Sequence, residues 1–259
     1  KGPAPRRKAL GEGDIMAEKS RAKWGLIIPS KNTVCETEMH RLVPPGISIN
    51  TARAVRKGPA VWGTDEAMKK MARAIRDAEP DAIKAVMTCE PDYLLMGEGG
   101  FSFPREELEG FNRKYEEISG LRVASSARAF LRALEVLKAR KVAVLTPRLP
   151  DSGVVSGGLW EACGYEVAAA KGLECTSIKD IDNLSEATLR DGLAELARSD
   201  ADVILATGSE IALIDMIEEA EFWTGKPVLH LNAVLVWYAL RDSGFDDRLE
   251  GRGTLLRDY

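Results

Sequence analysis

Thiol, hydroxyl, amide and carboxylate groups carry whatever chemistry this chain performs, and they gather where apolar runs stop. The stretch VMTCEPDYLLMGEGG, residues 86–100, ends an apolar run in Thr88, Cys89 and Glu90 just before Pro91. A proline there stops a helix or a central strand from simply continuing. A cysteine at the lip of a buried strand is a candidate nucleophile or proton carrier, whereas its bland role is small apolar packing. Glu90 beside it disfavours a thiolate, which points to a neutral thiol donating a proton. A second lip is Thr207-Gly208-Ser209, at the end of ADVILATGS. Hydroxyls and backbone N–H groups at strand-to-helix turns hold a carboxylate or a developing enolate. Gly208 lets the backbone approach such a ligand closely. The segments PSKNT and TPRLP end two further runs and add Asn32, Thr146 and Arg148. The arginine is a natural bidentate partner for a carboxylate.

The rest of the composition narrows the field. The chain has 259 residues, a formal net charge of −4, four cysteines and two histidines. That charge gives no general attraction for nucleic acid or an anionic membrane. Cys35, Cys89, Cys163 and Cys175 form no CxxC pair, so neither a zinc knuckle nor a disulfide framework is expected, and a reducing cytoplasm is the natural setting. Cys35, Cys163 and Cys175 read as packing residues. With only His40 and His230, a multi-histidine metal centre is ruled out. No apolar run has the length of a membrane span. GEGG at 97–100 lacks the Gly-Lys-Ser/Thr of a phosphate loop and reads as a flap or a plain turn.

The elements that position these groups alternate. WGLIIPS, DAIKAVMTC, KVAVLTP, YEVAAAKGL, ADVILATGS and PVLHLN read as strands. TDEAMKKMARAIRDA, ARAFLRALEVLKAR, SGGLWEACG, SEATLRDGLAELARS and AVLVWYALRDSG read as helices or helix ends. Strands separated by helices predict parallel sheets with ligands outside their carboxyl ends. Pro29 lies over Pro147 at an offset of 118 residues and Cys89 over Gly208 at 119, as a duplicated unit would leave them. The expected fold is therefore α/β, with two pseudo-symmetric lobes of parallel sheet flanked by helices and a cleft between them. Residues 1–22 are expected to be a flexible tail, 23–122 plus 232–259 the first lobe, and 123–231 the second.

The segments GLIIPSKNTVCETEMHRL, SSARAFLRALEVLKARKVAVLTP, SDADVILATGSEIALID, GKPVLHLNAVLVWYALRDSG and DDRLEGRGTLL resemble the aspartate/glutamate racemase superfamily, in its branch of maleate cis-trans isomerase and arylmalonate decarboxylase. Together they cover nearly everything after residue 23. The resemblance implies a cysteine on each lobe facing the reacting carbon, with no metal or organic cofactor. In the isomerase branch one cysteine adds to the double bond of maleate and the other assists. The decarboxylase branch keeps only the cysteine of the second lobe. On this chain the first-lobe position falls on Cys89 and the second on Gly208, while Arg148 replaces the tyrosine of the family's TPY pattern. The expected activity is a cofactor-independent, maleate isomerase-like conversion of a small dicarboxylic acid. Cys89 is its expected thiol, and Asn32, Thr88, Thr146, Arg148, Thr207, Gly208 and Ser209 are expected to bind substrate. The alternatives are a malonate-type decarboxylase and a non-catalytic carboxylate-binding or regulatory protein. The resemblance also implies a homo-oligomer, without identifying the contacting face.

Overall fold

The computed structural model describes residues 20–57, 65–98, 105–148 and 158–259. Its first sheet holds β1 (Ala22–Pro29), β2 (Ile47–Ala54), β3 (Tyr93–Met96) and β4 (Val123–Ser125) in the order β2-β1-β3-β4. The second holds β5 (Lys141–Thr146), β6 (Glu166–Gly172), β7 (Val203–Ala206) and β8 (Val228–His230) in the order β6-β5-β7-β8. Every pairing is parallel. YLLM in β3 and VILA in β7 are buried at every residue, as strands covered on both faces must be.

The covering helices are α1 (Cys35–Leu42), α2 (Asp65–Met87), α3 (Arg105–Ser119), α4 (Ser126–Leu137), α5 (Gly158–Ala162), α6 (Ile178–Asp182), α7 (Glu186–Ala197), α8 (Ile217–Thr224), α9 (Leu231–Asp242) and α10 (Thr254–Asp258). Ser185 caps α7 by accepting from Thr188 N at 3.1 Å, as the SEAT sequence predicts. Helix α9 follows the second sheet but packs against α1 and α4. β4 pairs with β3, so the first sheet extends past residue 122. No described helix is long and apolar enough to cross a membrane.

The two sheets share one plan down to their hydrogen bonds. At the amino ends, Asp92 N donates to Lys23 O at 2.7 Å and Lys23 N to Asp92 Oδ2 at 2.8 Å. Asp202 and Lys141 repeat the exchange at 2.9 Å each way. At the carboxyl ends, Gly97 N donates to Ile27 O at 2.8 Å, and Thr207 N to Leu145 O at 3.0 Å. These pairs place Lys23 over Lys141, an offset of 118, but Asp92 over Asp202, an offset of 110.

The second offset corrects the expected register. DAIKAVMTC is not a strand; most of it forms the end of α2, a helix of 23 residues that runs through Pro80. Ala82, Ile83 and Val86 are buried while Asp81, Lys84 and Ala85 are exposed, which is one face of a helix. Over nine residues such a face of small apolar side chains is indistinguishable from a strand, and the proline makes a break look real. The strand is YLLM, a few residues later.

Gly25, in the middle of β1, shows how closely these layers approach. A Cβ at that position falls 2.6 Å from Leu94 Cδ2 and 3.1 Å from Val86 Cγ1 of α2. Leu94 and Val86 are buried, so any shift of their methyl groups presses on packed neighbours. Gly25→Ala is therefore expected to destabilise the protein by about 1–3 kcal/mol through overpacking, read as a lower denaturant midpoint with an unchanged m-value.

Candidate functional site

The carboxyl ends of both sheets bring together residues from the two halves of the chain. Asn32 sits in the turn after β1, where its Oδ1 accepts from Val34 N at 3.0 Å and Cys35 N at 2.9 Å, closing the entry to α1. Its Nδ2 donates across the seam to Ser209 Oγ at 2.9 Å. Arg53, near the end of β2, donates to Asn32 O at 2.8 Å and pairs with Glu36 at 2.6 Å. In the second lobe, Thr146 Oγ1 accepts from Arg148 N at 3.3 Å, and Thr207 Oγ1 donates to Leu145 O at 3.3 Å. Arg148 Nη2 lies 3.0 Å from Glu210 Oε1, and Ser209 Oγ donates to Glu210 Oε2 at 3.4 Å.

Behind this row lies a buried polar seam that sequence reasoning missed. Glu38 of α1 is 3% exposed, and its Oε1 accepts from Leu213 N at 2.9 Å and Ile214 N at 3.2 Å. Its Oε2 accepts from Asn232 Nδ2 at 2.7 Å, with His230 Nδ1 at 3.5 Å. Asn232 Nδ2 also donates to Ser209 O at 3.0 Å. The signal was present: Glu38 falls in the buried stripe Cys35, Glu38, Met39, Leu42. A glutamate in an apolar stripe demands partners.

Of the sequence-predicted binding residues, Asn32, Thr146, Arg148, Thr207, Gly208 and Ser209 lie at these strand ends. Thr88 and Cys89 do not. They follow the end of α2, where Thr88 Oγ1 donates to Ala85 O at 2.8 Å and Cys89 O accepts from Lys23 Nζ at 2.8 Å. Lys23 is the second residue of β1, so Cys89 lies at the amino edge of the sheet. Six residues of rise at about 3.3 Å put it roughly 20 Å from the opposite edge. Cys35 is fully buried, and burial, with Glu38 and Glu210 adding, pushes its thiol well above the ordinary value. Burial also raises the Cys175 thiol, with Asp180 adding and Arg148 opposing. Neither is an activated thiolate.

The offset of 110 makes Glu98, not Cys89, the first-lobe counterpart of Gly208. Glu98 Oε1 pairs with Arg76 Nη2 at 2.6 Å, and Arg76 Nη1 donates to Tyr115 Oη at 2.9 Å. Tyr115 Oη donates to Glu79. A Cβ at Gly208 falls 2.9 Å from Pro147 Cδ and 3.1 Å from Ile211 Cδ1, so this backbone has no space there for a cysteine. Of GEGG, residues 99–100 lie outside the described residues.

Burial, with Glu98 adding and Arg76 opposing, pushes the Glu79 carboxyl up to about 7. The folded protein then holds this proton more tightly than the unfolded chain, so its stabilising contribution is complete below pH 4.5 and lost as pH rises through about 7. Glu79→Gln keeps the neutral form throughout. Its melting temperature relative to the unsubstituted protein is expected to rise across that window, as measured by thermal scans from pH 4.5 to 8.

Comparison with known proteins agrees with this architecture. The chain is 24% identical over 248 residues to a maleate isomerase of Pseudomonas putida, covering 90% of this chain and 96% of that one. It is 25% identical to a maleate isomerase of Nocardia farcinica, covering 90% and 94%. Among solved structures, the maleate isomerase of Pseudomonas putida S16 superposes with a TM-score of 0.81 at 20% identity, covering 92% of this chain and 98% of that chain. A Nocardia farcinica maleate cis-trans isomerase mutant with a covalently bound succinylcysteine intermediate gives 0.78 at 22%, covering 92% and 99%. An arylmalonate decarboxylase gives 0.70 at 19%, covering 90% and 98%. The family model of arylmalonate decarboxylase matches residues 65–256, most of the chain, and the protein belongs to that family.

Proposed function

We propose that this chain is a cofactor-independent isomerase acting on a small dicarboxylic acid, of the maleate isomerase kind, with the acid held between the two rows of strand ends. The observation that carries this reading is the convergence of amide, hydroxyl and guanidinium groups from both lobes, joined by the bond from Asn32 to Ser209. Likeness to maleate isomerases along most of the chain supports it. Asn32, Thr146, Arg148, Thr207, Ser209 and the backbone at Gly208 bind the acid.

Isomerisation about a carbon–carbon double bond needs a nucleophile that adds reversibly. An O–C bond forms, the π pair moves onto the carbon beside a carboxylate as an enediolate, rotation follows, and elimination reverses the step. Among the described strand-end residues, this role falls to the Ser209 hydroxyl. Asn32 Nδ2 orients its oxygen and Glu210 Oε2 accepts its proton. Decarboxylation of a malonate is the second reading, favoured by the family itself. There carbon dioxide leaves and the enediolate carbon takes a proton from the protein.

Proton NMR with maleate and a panel of substituted malonates tests both readings. Fumarate is expected from maleate, at a rate unchanged in Cys89→Ser and lowered about 100-fold or more in Ser209→Ala. A decarboxylated acid from a malonate in place of fumarate would establish the second reading. No turnover, with ligands still raising the melting temperature, would establish a carboxylate-binding protein instead.

A further inference from the structure

Three guanidinium groups near the strand ends carry a carboxylate of this chain. Arg53 pairs with Glu36 at 2.6 Å, Arg76 with Glu98 at 2.6 Å, and Arg148 with Glu210 at 3.0 Å. Arg148 is the one whose position suits a substrate carboxylate, and its partner is firmly placed. The Arg148 and Glu210 side chains are 20% and 14% exposed. The Arg148 backbone is pinned by its N–H on Thr146 Oγ1 and by Glu174 N donating to its carbonyl at 3.1 Å. Glu210 follows Ser209, which Asn32 and Asn232 hold from two sides.

A ligand therefore meets donors and an acceptor side by side, with no net charge between them. A carboxylate can share Arg148 while Glu210 stays. A second carboxylate brought against Glu210 meets a like charge in a poorly solvated place, which is unfavourable. An N–H or O–H group there gains a charge-assisted hydrogen bond instead.

Building on the reading of the cleft as a dicarboxylic-acid site, we propose that its preferred ligand is a monoanion: the half-amide of a short dicarboxylic acid, its carboxylate on Arg148 and its amide N–H on Glu210. Glu210 is thus the residue that selects the charge of the substrate.

Calorimetric titration of the full chain with maleate and with its half-amide, at a pH where both maleate carboxyls are ionised, tests this. The unsubstituted protein is expected to bind the half-amide about tenfold or more tightly than maleate. In Glu210→Gln the order should reverse, maleate gaining and the half-amide losing. Tighter binding of maleate by the unsubstituted protein overturns the proposal whether or not the variant folds, and so does a ratio unchanged by Glu210→Gln. If maleate is also converted to fumarate in that case, the isomerase reading stands and this inference alone falls. Binding of neither compound by either protein would overturn the inference and the dicarboxylate reading together.

Discussion

The Glu38 carboxylate is the constraint on which the strand-end geometry depends. An unpaired charge buried at such a seam costs several kcal/mol, so its placement requires donors from both parts of the fold. They come from the 213–214 backbone and from Asn232, which at the same time holds the Ser209 carbonyl. Asn32 then takes the Ser209 hydroxyl from the first lobe. One buried acid thus ties the relative position of two sheets to the orientation of one hydroxyl. Hydrogen bonds to a buried charge tolerate little displacement, because losing one leaves the charge exposed to its full desolvation penalty.

Duplication explains the frame and divergence explains the site. The same β2-β1-β3-β4 plan occurs twice, with an equivalent aspartate at each amino end, Asp92 or Asp202, bonding the backbone of the equivalent first-strand lysine, Lys23 or Lys141. At the carboxyl ends the halves no longer match: Glu98 stands opposite Gly208, and Gly97 opposite Thr207. The glycine at 97 is tightly enclosed, since a Cβ there would sit 2.9 Å from Cys35 Sγ. Packing at 97 and 208 has closed around glycine, and the thiols near these described strand ends, Cys35 and Cys175, are buried and raised by that burial, which leaves hydroxyls and carboxyls as the more accessible reacting groups. The strand ends differ chemically from what the family resemblance implies while keeping its frame.

Pairing within the chain also limits what Arg148 offers. A lone guanidinium would be open to any carboxylate, whereas Arg148 already carries the carboxylate of Glu210. The pair is formed by residues 62 positions apart on neighbouring strand ends. Its location follows from β5 and β7 lying side by side in parallel, which sends both loops to one edge.

The amino-acid order alone determined the α/β class, the second sheet and the strand-end residues Asn32, Thr146, Arg148, Thr207, Gly208 and Ser209, because fully buried parallel strands are written as short apolar runs bounded by turn residues. It also revealed a duplication, through the matching prolines 29 and 147. The three-dimensional structure decided that α2 continues through Pro80, which carries Cys89 to the amino edge and moves the first-lobe strand to Tyr93–Met96. It decided as well that Glu38 faces the seam and that Arg148 is held by Glu210. The physical reason is the same in each case. Over a few residues the faces of a helix and a strand look alike, and the partner of a buried charge is chosen by packing between segments far apart in the chain.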